Sequence, residues 1–324
     1  FRRFDAWQDS SLVPVAEATL ADGVRRSIET RVAGEFPDER WINAHFTTFK
    51  RGDSAHLLMM FSDVSKRVRA SAELAERTEA LQRFSDEREA ENALAADVMQ
   101  RMMRRPGLSD RHIRHWLQPA TAFSGDVVAA ARSAEGKLYV LLADATGHGL
   151  TAAISVVPAL TVFYSLAEAG YPLGFIALQI NSQLLAFLPT GRFVAATLLC
   201  LHEATRTVEV WQGGMPNLML LGRDGRALNH LPTSHPPLGI LEFDEEMAAI
   251  ERFDCPPDSQ LVLHSDGLTE AVNDAGEAFG PARLLAALAG VPAEGRIAAV
   301  QAAYRNFVGD VPLADDVSLV LISC

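Results

Sequence analysis

The feature that most constrains this chain is an acidic turn with two glycines at the end of an apolar run. The run is Leu138–Ala143, the turn is Asp144–Gly149, and a second apolar segment begins at Leu150. A short continuous apolar run is typical of a buried strand. Glycines allow a tight turn and a close approach of a ligand to the backbone. We therefore expect Asp144 at the edge of a core, placed to hold a hard cation.

The same pattern of an acidic residue at a strand end occurs twice more. Asp266 follows the apolar run Gln260–His264, and the pair Asp315–Asp316 precedes Val317–Ile322 in mirrored order. A single Asp-Gly pair is more often an ordinary turn. Three such sites, far apart in the sequence, predict one converged cluster of carboxylates.

Composition narrows the possible classes of protein. The chain has 324 residues, enough for about two domains, and 48% of them are hydrophobic, which supports a sizeable core. Its 29 basic and 41 acidic residues give a net charge of −12. Binding to nucleic acid without sequence preference depends on Lys and Arg, so we exclude a nucleic-acid partner. The acidic balance is compatible with cation binding.

The cysteines predict a reducing compartment. Cys200, Cys255 and Cys324 are far apart, odd in number and form no CxxC motif. That pattern favours reduced, buried thiols and a cytoplasmic location. The spacing of cysteine and histidine along the chain shows no zinc-type cluster.

The apolar segment Leu150–Ala167 is long enough to raise two interpretations, a membrane span and a core helix. The segment carries Ser and Thr side chains and Pro158, whereas a span needs roughly 20 strongly apolar residues. We expect a buried helix and no membrane segment within this chain. No signal peptide is visible, and because the chain begins at Phe1 we expect the true N-terminus to lie upstream.

Composition and the pattern of apolar residues divide the chain into three regions: residues 1–65, 66–105 and 106–324. The first largely alternates apolar and polar residues, which predicts three antiparallel strands at Ser27–Val32, Trp41–Phe46 and Ala55–Phe61, with turns at Gly34–Pro37 and Arg51–Asp53. The third mixes strand and helix patterns and contains hairpin-like pairs. We predict an α+β fold there, with an antiparallel β-sandwich flanked by helices.

Residues 66–105 predict a long helix, since residues 66–104 lack Gly and Pro and are rich in Ala, Glu, Arg and Leu. A heptad phase gives two sets of core positions, which are Leu74, Leu81, Arg88, Ala95 and Met102, and Arg77, Phe84, Glu91 and Val98. Charged residues in the middle of such a seam cost stability. Two interpretations stay open, a weak two-helix seam that can shift, which we favour, and a single solvated linker helix.

Within residues 106–324, the strand patterns are Ile113–Gln118, Val127–Arg132, Lys137–Ala143, Val194–Leu201, Thr207–Gln212, Asn217–Leu221, Met247–Phe253, Gln260–His264 and Val317–Ile322. The helix patterns are Leu150–Ala169, Phe175–Leu188, Pro281–Ala289 and Arg296–Val308.

Four motifs in order resemble those of the PPM family of metal-dependent serine/threonine protein phosphatases. They are Phe123–Asp126, Asp144–Gly149, Ser265–Ala271 and Asp315–Ser318. The supporting segment Gly276–Gly280 is similar to the bacterial SpoIIE/RsbU-like branch. The resemblance covers about residues 95–324. Upstream, residues 60–67 resemble the exit of a PAS sensor domain into a signalling helix, so residues 1–65 are interpreted as a partial PAS-like region.

The resemblance implies a centre of two Mn²⁺ or Mg²⁺ ions, with a third ion possible. Asp144 is expected to bridge the two ions, and the carbonyl of Ala145 to bind the second. Asp266 and Asp315 are expected to complete the first, with Asp316 as the less favoured member of the last motif. Asp126 is expected nearby, holding water or an additional ion.

The sequence departs from the pattern of the family at two places, and it contains two histidines near the proposed ligands. The acid that the branch usually carries soon after Asp126 is replaced here by the apolar run Val127–Ala130. No equivalent of the phosphate-binding arginine of eukaryotic PPM enzymes is visible. His148 is expected to shape the turn or cap the following helix rather than to act in chemistry, and His264 to pack within its strand.

The resemblance implies a signal-regulated phosphatase that acts on a phosphorylated STAS-domain protein, an anti-sigma-factor antagonist, in a partner-switching pathway. It is expected to be a homodimer through the linker helix. A shift of that helix against the phosphatase core is the hypothesis for regulation. The alternative is a catalytically silent pseudophosphatase that serves as a scaffold. A nucleotide cyclase is disfavoured, since residues 126–266 do not offer two metal-binding aspartates within the purine-selecting context that such an enzyme needs.

Overall fold

A computed structural model describes residues 11–32, 40–103, 106–147 and 149–324 of this chain. The chain divides into two compact units, with the boundary between Glu89 and Ala90. Each unit is described separately below. The predicted turn at 34–37, His148, and the side chains of Val98 and Met102 lie outside the described residues.

The described part of the first unit contains a helix, a three-stranded antiparallel sheet of order β1-β2-β3, and the beginning of a long second helix. The elements are α1 Leu12–Asp22, β1 Arg26–Val32, β2 Arg40–Arg51 and β3 Ser54–Asp63. The three predicted strands are present, each longer than the pattern indicated. Helix α1 was not predicted, and it buries Leu12 and Ala16, one helical turn apart, against Ala44 and Phe46. Whether this unit is PAS-like stays a prediction.

Helix α2 extends over Ser65–Met103, 39 residues without Gly or Pro. Its apolar side chains lie largely in solvent, with Leu74, Leu81 and Phe84 exposed by 67%, 69% and 59%. Exposed apolar residues at heptad spacing are expected on one helix of a two-helix seam when that helix is viewed without its partner.

The second unit is built on two five-stranded antiparallel sheets. Sheet I has the order β10-β9-β12-β13-β4 and sheet II the order β11-β8-β7-β6-β5. The strands are β4 Ile113–Gln118, β5 Asp126–Arg132, β6 Leu138–Ala145, β7 Val194–His202, β8 Thr207–Gly213, β9 Leu218–Leu221, β10 Ala227–Leu231, β11 Glu251–Asp254, β12 Gln260–His264 and β13 Val317–Ser323. The helices are α3 Leu150–Ser155, α4 Val157–Glu168, α5 Leu173–Phe187, α6 Asp266–Glu270, α7 Gly280–Leu288 and α8 Arg296–Val308.

Three apolar layers hold this unit together. Between the sheets, residues such as Val140 and Leu142 of sheet II pack with Leu263 and Val320 of sheet I. On its outer face, sheet II is covered by α4 and α5, and sheet I by α7 and α8. The prediction of an antiparallel β-sandwich flanked by helices is confirmed.

Several element predictions needed correction. The short elements β10 and α6 were not predicted, and the pattern at Met247–Phe253 forms a strand only from Glu251 to Asp254. The single helix predicted at Leu150–Ala169 is divided into α3 and α4, with Val156 between them. Short elements contain too few residues to show a clear period, which explains the omissions.

One helical stretch of the described residues, Leu150–Glu168, is long and apolar enough to cross a membrane by length and composition. Half of its most apolar window is buried. Phe163 and Tyr164 belong to the core over sheet II. This packing supports the core-helix interpretation.

The prediction of three reduced thiols is wrong for two of them. Cys255 and Cys324 form a disulfide with a Cα–Cα distance of 6.0 Å and a sequence separation of 69 residues, whereas Cys200 is free and buried. Cys255 follows β11 of sheet II and Cys324 follows β13 of sheet I, so the bond links the two sheets. Strand order brings them together, which spacing along the chain cannot reveal. Because disulfides are rare in a reducing cytosol, the cysteines of this chain do not support a cytoplasmic location.

Reduction of this disulfide should destabilise the fold. A cross-link that closes a long loop restricts the unfolded chain and typically contributes about 2–4 kcal/mol. Urea unfolding of the wild type with and without reductant should show a loss of that size. Cys255→Ser should show the lower stability without reductant and no further effect of reductant. Equal stability of all four samples would contradict a formed disulfide.

Candidate metal centre

Two of the predicted carboxylates lie opposite each other on neighbouring strands. Asp126 begins β5 and pairs in register with Asp144 near the end of β6. Side chains alternate between the faces of a sheet, and Val128 and Leu142, two residues along each strand, belong to the core between the sheets. Asp126 and Asp144 are therefore on the inner face of sheet II, at one edge of the sandwich.

The other carboxylates come from the facing sheet. Asp266 follows β12 and begins α6, and Asp315 and Asp316 directly precede β13, which pairs with β12. Gly267 makes this approach possible. A Cβ atom there would lie 2.1 Å from the carbonyl oxygen of Asp316, so only glycine lets these two segments pack so closely.

A hydrogen bond joins the two halves of the cluster. Ser318 of β13 donates from Oγ to Oδ2 of Asp126 at 2.5 Å. Asp126 is only 1% exposed, so its carboxylate lies inside the sandwich rather than on its surface. Ser265 supports the same region, because its Oγ accepts a hydrogen bond from the backbone N–H of Ser318 at 3.0 Å.

Asp315 and Asp316 have different environments. Asp316 is buried, and its two carboxylate oxygens accept backbone N–H bonds from Ala120 at 2.7 Å and Gly125 at 2.6 Å. Asp315 is exposed, and its Oδ1 accepts the N–H of Asp316 at 2.9 Å. The Asp316 carboxylate therefore holds the segment before Asp126 in place, whereas Asp315 faces solvent at the rim of the cluster.

The turn after Asp144 has the backbone that its glycines predict. Gly147 and Gly149 have φ angles of 83° and 81°, in the left-handed region that disfavours other residues. The N–H of Ala145 donates to the carbonyl of Gly125 at 3.3 Å. This bond fixes the Ala145 peptide beside the segment that leads into Asp126.

Arg192 is a polar contact of this turn that the sequence did not suggest. Its Nη1 donates to the carbonyl oxygen of Thr146 at 2.7 Å, and the Thr146 hydroxyl is bonded to the backbone of Phe193. These contacts fix the turn to the start of β7. Only the pairing of β6 with β7 places Arg192 here, and no motif around it signals this role.

Burial and mutual repulsion alter the acidity of the central pair. Burial raises the pKa of Asp126 to about 7, although hydrogen bonds from Ser318 and Ser265 act in the opposite direction. Burial, and then the negative charge of Asp126, raise the pKa of Asp144 to about 9. Like charges held together in a partly dry site favour protonation. A cation at this position relieves that repulsion.

The donor set fits hard divalent cations. Asp126, Asp144, Asp266 and Asp315 offer carboxylate oxygens, which Mn²⁺ and Mg²⁺ prefer together with carbonyls and water. Ala145 lies in the same turn as Asp144. The structure brings all the predicted site residues to one edge of the sandwich, and it gives Asp316 a separate, structural set of bonds. His264 is buried, with Nδ1 at 2.9 Å from the carbonyl of Ser265, as a packed strand histidine.

Comparison with known proteins supports the interpretation of the fold. The family model for stage II sporulation protein E (SpoIIE) matches residues 134–324. That range contains Asp144, Asp266 and Asp315, while Asp126 lies just before it. No curated protein matches the chain.

Solved structures share the same architecture at low sequence identity. The PP2C domain of SiaA from Pseudomonas aeruginosa is 18% identical with a TM-score of 0.65, over 76% of this chain and 98% of that one. The phosphatase domain and regulatory fragment of SpoIIE from Bacillus subtilis is 15% identical with a TM-score of 0.56, over 65% of this chain and 62% of that one. The RsbU and RsbW domains of a Mycobacterium tuberculosis protein are 19% identical with a TM-score of 0.53, over 65% and 59%.

The metal-free chain should become less stable as pH rises. Asp126 and Asp144 have folded-state pKa values above the ordinary 3.8, so the folded state binds more protons and loses stability as pH rises through those values. In EDTA, Tm should fall between pH 5 and pH 8 by at least about 3 °C, or roughly 1 kcal/mol for a unit of this size. Mn²⁺ should restore Tm most at pH 8.

Asp144→Asn is the matched variant for that experiment. It removes one repelling charge, so the dependence of Tm on pH should be shallower and the stabilisation by Mn²⁺ smaller. Identical slopes for the variant and the wild type would contradict the electrostatic account of the cluster.

Proposed function

The chain belongs to the SpoIIE family, and from that premise we propose that it hydrolyses phosphoserine or phosphothreonine on a partner protein. The resemblance to PPM phosphatases of the SpoIIE/RsbU-like branch is confirmed, and the phosphatase fold that it implied is present. The observation that carries the proposal is the convergence of Asp126, Asp144, Asp266 and Asp315 at one edge of the sandwich.

We assign the roles in the centre as follows. Asp144 lies between the strand bearing Asp126 and the strand β7, and it is the group we propose to bridge two ions. Asp266 and Asp315 would hold the first ion together with Asp144, and the carbonyl of Ala145 would bind the second. When bound, Mn²⁺ or Mg²⁺ ions neutralise charge on the phosphoryl oxygens and activate water for attack.

The chain's own residues hold this arrangement and orient the reactants. Hydrogen bonds from Ser318 and Ser265 fix the carboxylate of Asp126, which would orient water or a further ion. We assign Asp316 as a positioning residue rather than a ligand, because both of its oxygens accept backbone bonds. Arg192 is a second positioning residue, since it holds the Thr146 carbonyl in the turn next to Asp144.

A phosphorylated STAS-domain protein is the substrate that we propose, in a partner-switching pathway. Two points support a protein substrate. The family is of the SpoIIE type, and Asp315 is exposed at the rim, so a phosphorylated side chain can reach the carboxylates from solvent. A cytoplasmic location remains a prediction that follows from this substrate.

Regulation through α2 is supported by one contact within the second unit. Ala95 of α2, Leu150 and Val157 pack against the buried pair Phe123 and Ala153. Phe123 begins the motif that ends at Asp126, and Leu150 directly follows the acidic turn. A shift of α2 therefore acts on both segments that carry the central carboxylates, which is the kind of helix displacement that switches packed interfaces.

The alternative function is a pseudophosphatase that binds a partner without chemistry. The carboxylates expected of an active centre are present, which favours the enzyme. A titration with Mn²⁺ separates the two, because a scaffold has no need of ions whereas the enzyme should bind two with the aid of Asp144 and Asp266.

Removal of either central ligand should abolish activity. Asp144→Asn and Asp266→Asn keep the size of the side chain but remove the charge that holds the ions. We expect release of phosphate from a phosphorylated STAS-domain protein in Mn²⁺ to fall by at least about 100-fold, in line with the large effect of lost electrostatic stabilisation. The measurement is the rate of phosphate release.

Asp274→Asn provides the matched control, since Asp274 is an exposed aspartate of the same unit that lies outside the cluster. It should retain wild-type activity. Unchanged activity of Asp144→Asn would refute the site. Phosphate release from a generic phosphopeptide but from no STAS-domain protein would refute only the substrate.

A homodimer through α2 should depend on its exposed apolar residues. Leu81→Asp places a charge on the predicted seam and should weaken dimerisation by roughly 10-fold or more, because a charged core position costs stability. Analytical ultracentrifugation of the full chain gives the dissociation constant. The control is Glu79→Asp, which changes a neighbouring charged residue outside the seam. A monomeric wild type, or equal dimerisation of Leu81→Asp, would contradict the proposal.

A further inference from the structure

A second group of metal-type ligands lies on sheet II, away from the acidic cluster. It comprises Cys200 and His202 of β7 and Glu209 of β8, whose ligand atoms all lie within 4.8 Å of one another. The chain order Cys-x-His, then a turn at residues 203–206, then Glu209, gave no recognisable motif. The β7–β8 hairpin brings the three together, because its register pairs Cys200 with Glu209.

Two of the three distances between these atoms match those around a tetrahedral ion. The Sγ of Cys200 lies 3.6 Å from Nε2 of His202, and that nitrogen lies 3.5 Å from Oε1 of Glu209. Ligand atoms around tetrahedral zinc are separated by about 3.3–3.6 Å, given bonds of about 2.3 Å to sulfur and about 2.0 Å to nitrogen and oxygen. Little movement of the side chains is needed to enclose an ion.

The three side chains are largely shielded from solvent. Cys200 is 1% exposed, and the side chains of His202 and Glu209 are 20% and 13% exposed. Burial, and then the charge of Glu209, raise the pKa of the Cys200 thiol to about 12. The thiol is therefore protonated at neutral pH unless a cation displaces its proton.

Arg252 is the competitor for this position. It pairs with Glu209 across β11 and β8, and its Nη2 donates to Oε1 at 2.5 Å. Each carboxylate oxygen has two lone pairs, so Oε1 can accept from the guanidinium and also bind an ion, and metal-ligating carboxylates are commonly hydrogen-bonded in this way. The positive charge of Lys137 acts to lower the pKa of the Cys200 thiol, against the effect of burial. Lys137 also forms an ion pair with Glu135 at 2.7 Å.

This group is separate from the acidic cluster in two respects. Cys200 belongs to the outer core of sheet II, beneath the helices, whereas Asp144 is on the inner face. Cys200 pairs in register with Tyr139 of β6. Tyr139 is five residues from Asp144 on that strand, a distance of about 17 Å along β6.

We propose that Cys200, His202 and Glu209 form a zinc site that clamps the β7–β8 hairpin. Sulfur, imidazole and carboxylate are the ligands that Zn²⁺ accepts in proteins. Three protein ligands leave the fourth position to water. The ion replaces the thiol proton, so each binding event releases one proton to the buffer.

Cobalt(II) is the probe that tests this site in the full chain. A Co²⁺–thiolate bond gives a near-ultraviolet charge-transfer band, which oxygen ligands of the acidic cluster do not give. We expect one equivalent of Co²⁺ to produce the band and Zn²⁺ to remove it by displacement. Cys200→Ser should abolish the band, and His202→Asn should weaken Co²⁺ binding at least tenfold.

Two controls separate this site from the other thiols and from the acidic cluster. Cys255→Ser and Asp144→Asn should both keep the band. Because a variant can fail to fold, Tm is measured as well. Zn²⁺ should raise the Tm of Asp144→Asn but not that of the double variant that carries both Asp144→Asn and Cys200→Ser. Absence of the band in the wild type, or its persistence in Cys200→Ser, overturns the proposal.

Discussion

The hydrogen bond from Ser318 to Asp126 is the interaction on which the centre depends. It crosses from one sheet of the sandwich to the other at 2.5 Å, and it does so at the edge where the central carboxylates converge. Strands β5 and β6 supply one half of the site, and the segments after β12 and before β13 supply the other. The packing of the two sheets therefore also fixes the geometry of the centre. Any ion that binds there also holds the sheets together, since a ligand that binds only the folded state stabilises it.

Electrostatics sets the cost of this arrangement. Burial drives the pKa of Asp126 to about 7 and that of Asp144 to about 9, so the cluster is unfavourable for the chain alone at neutral pH. The protein offsets part of this cost with hydrogen bonds from serine hydroxyls and with backbone N–H groups that bind Asp316. The same tension makes the edge a strong site for divalent cations, because a cation favours the charged carboxylates.

The sequence predicted the parts of this design that depend on local pattern. Apolar runs located most strands of the sandwich, and acidic residues at their ends located the cluster. What it did not reveal depends on register and on strand order. Asp316 differs from Asp315 by its burial and by its bonds to the backbone N–H groups of Ala120 and Gly125. The disulfide and the group at Cys200, His202 and Glu209 form only because particular strands meet.

Gly267 shows that the centre can be lost without the loss of a single ligand. Its Cα faces the Asp316 carbonyl so closely that one methyl group there would lie 2.1 Å from the oxygen. A mutation at this position leaves every carboxylate in the chain but forces apart the two segments that carry Asp266 and Asp315. A count of conserved acids is therefore an unsafe guide to activity among related chains. In this fold, a glycine at position 267 is as informative about catalytic activity as the charged residues of the site are.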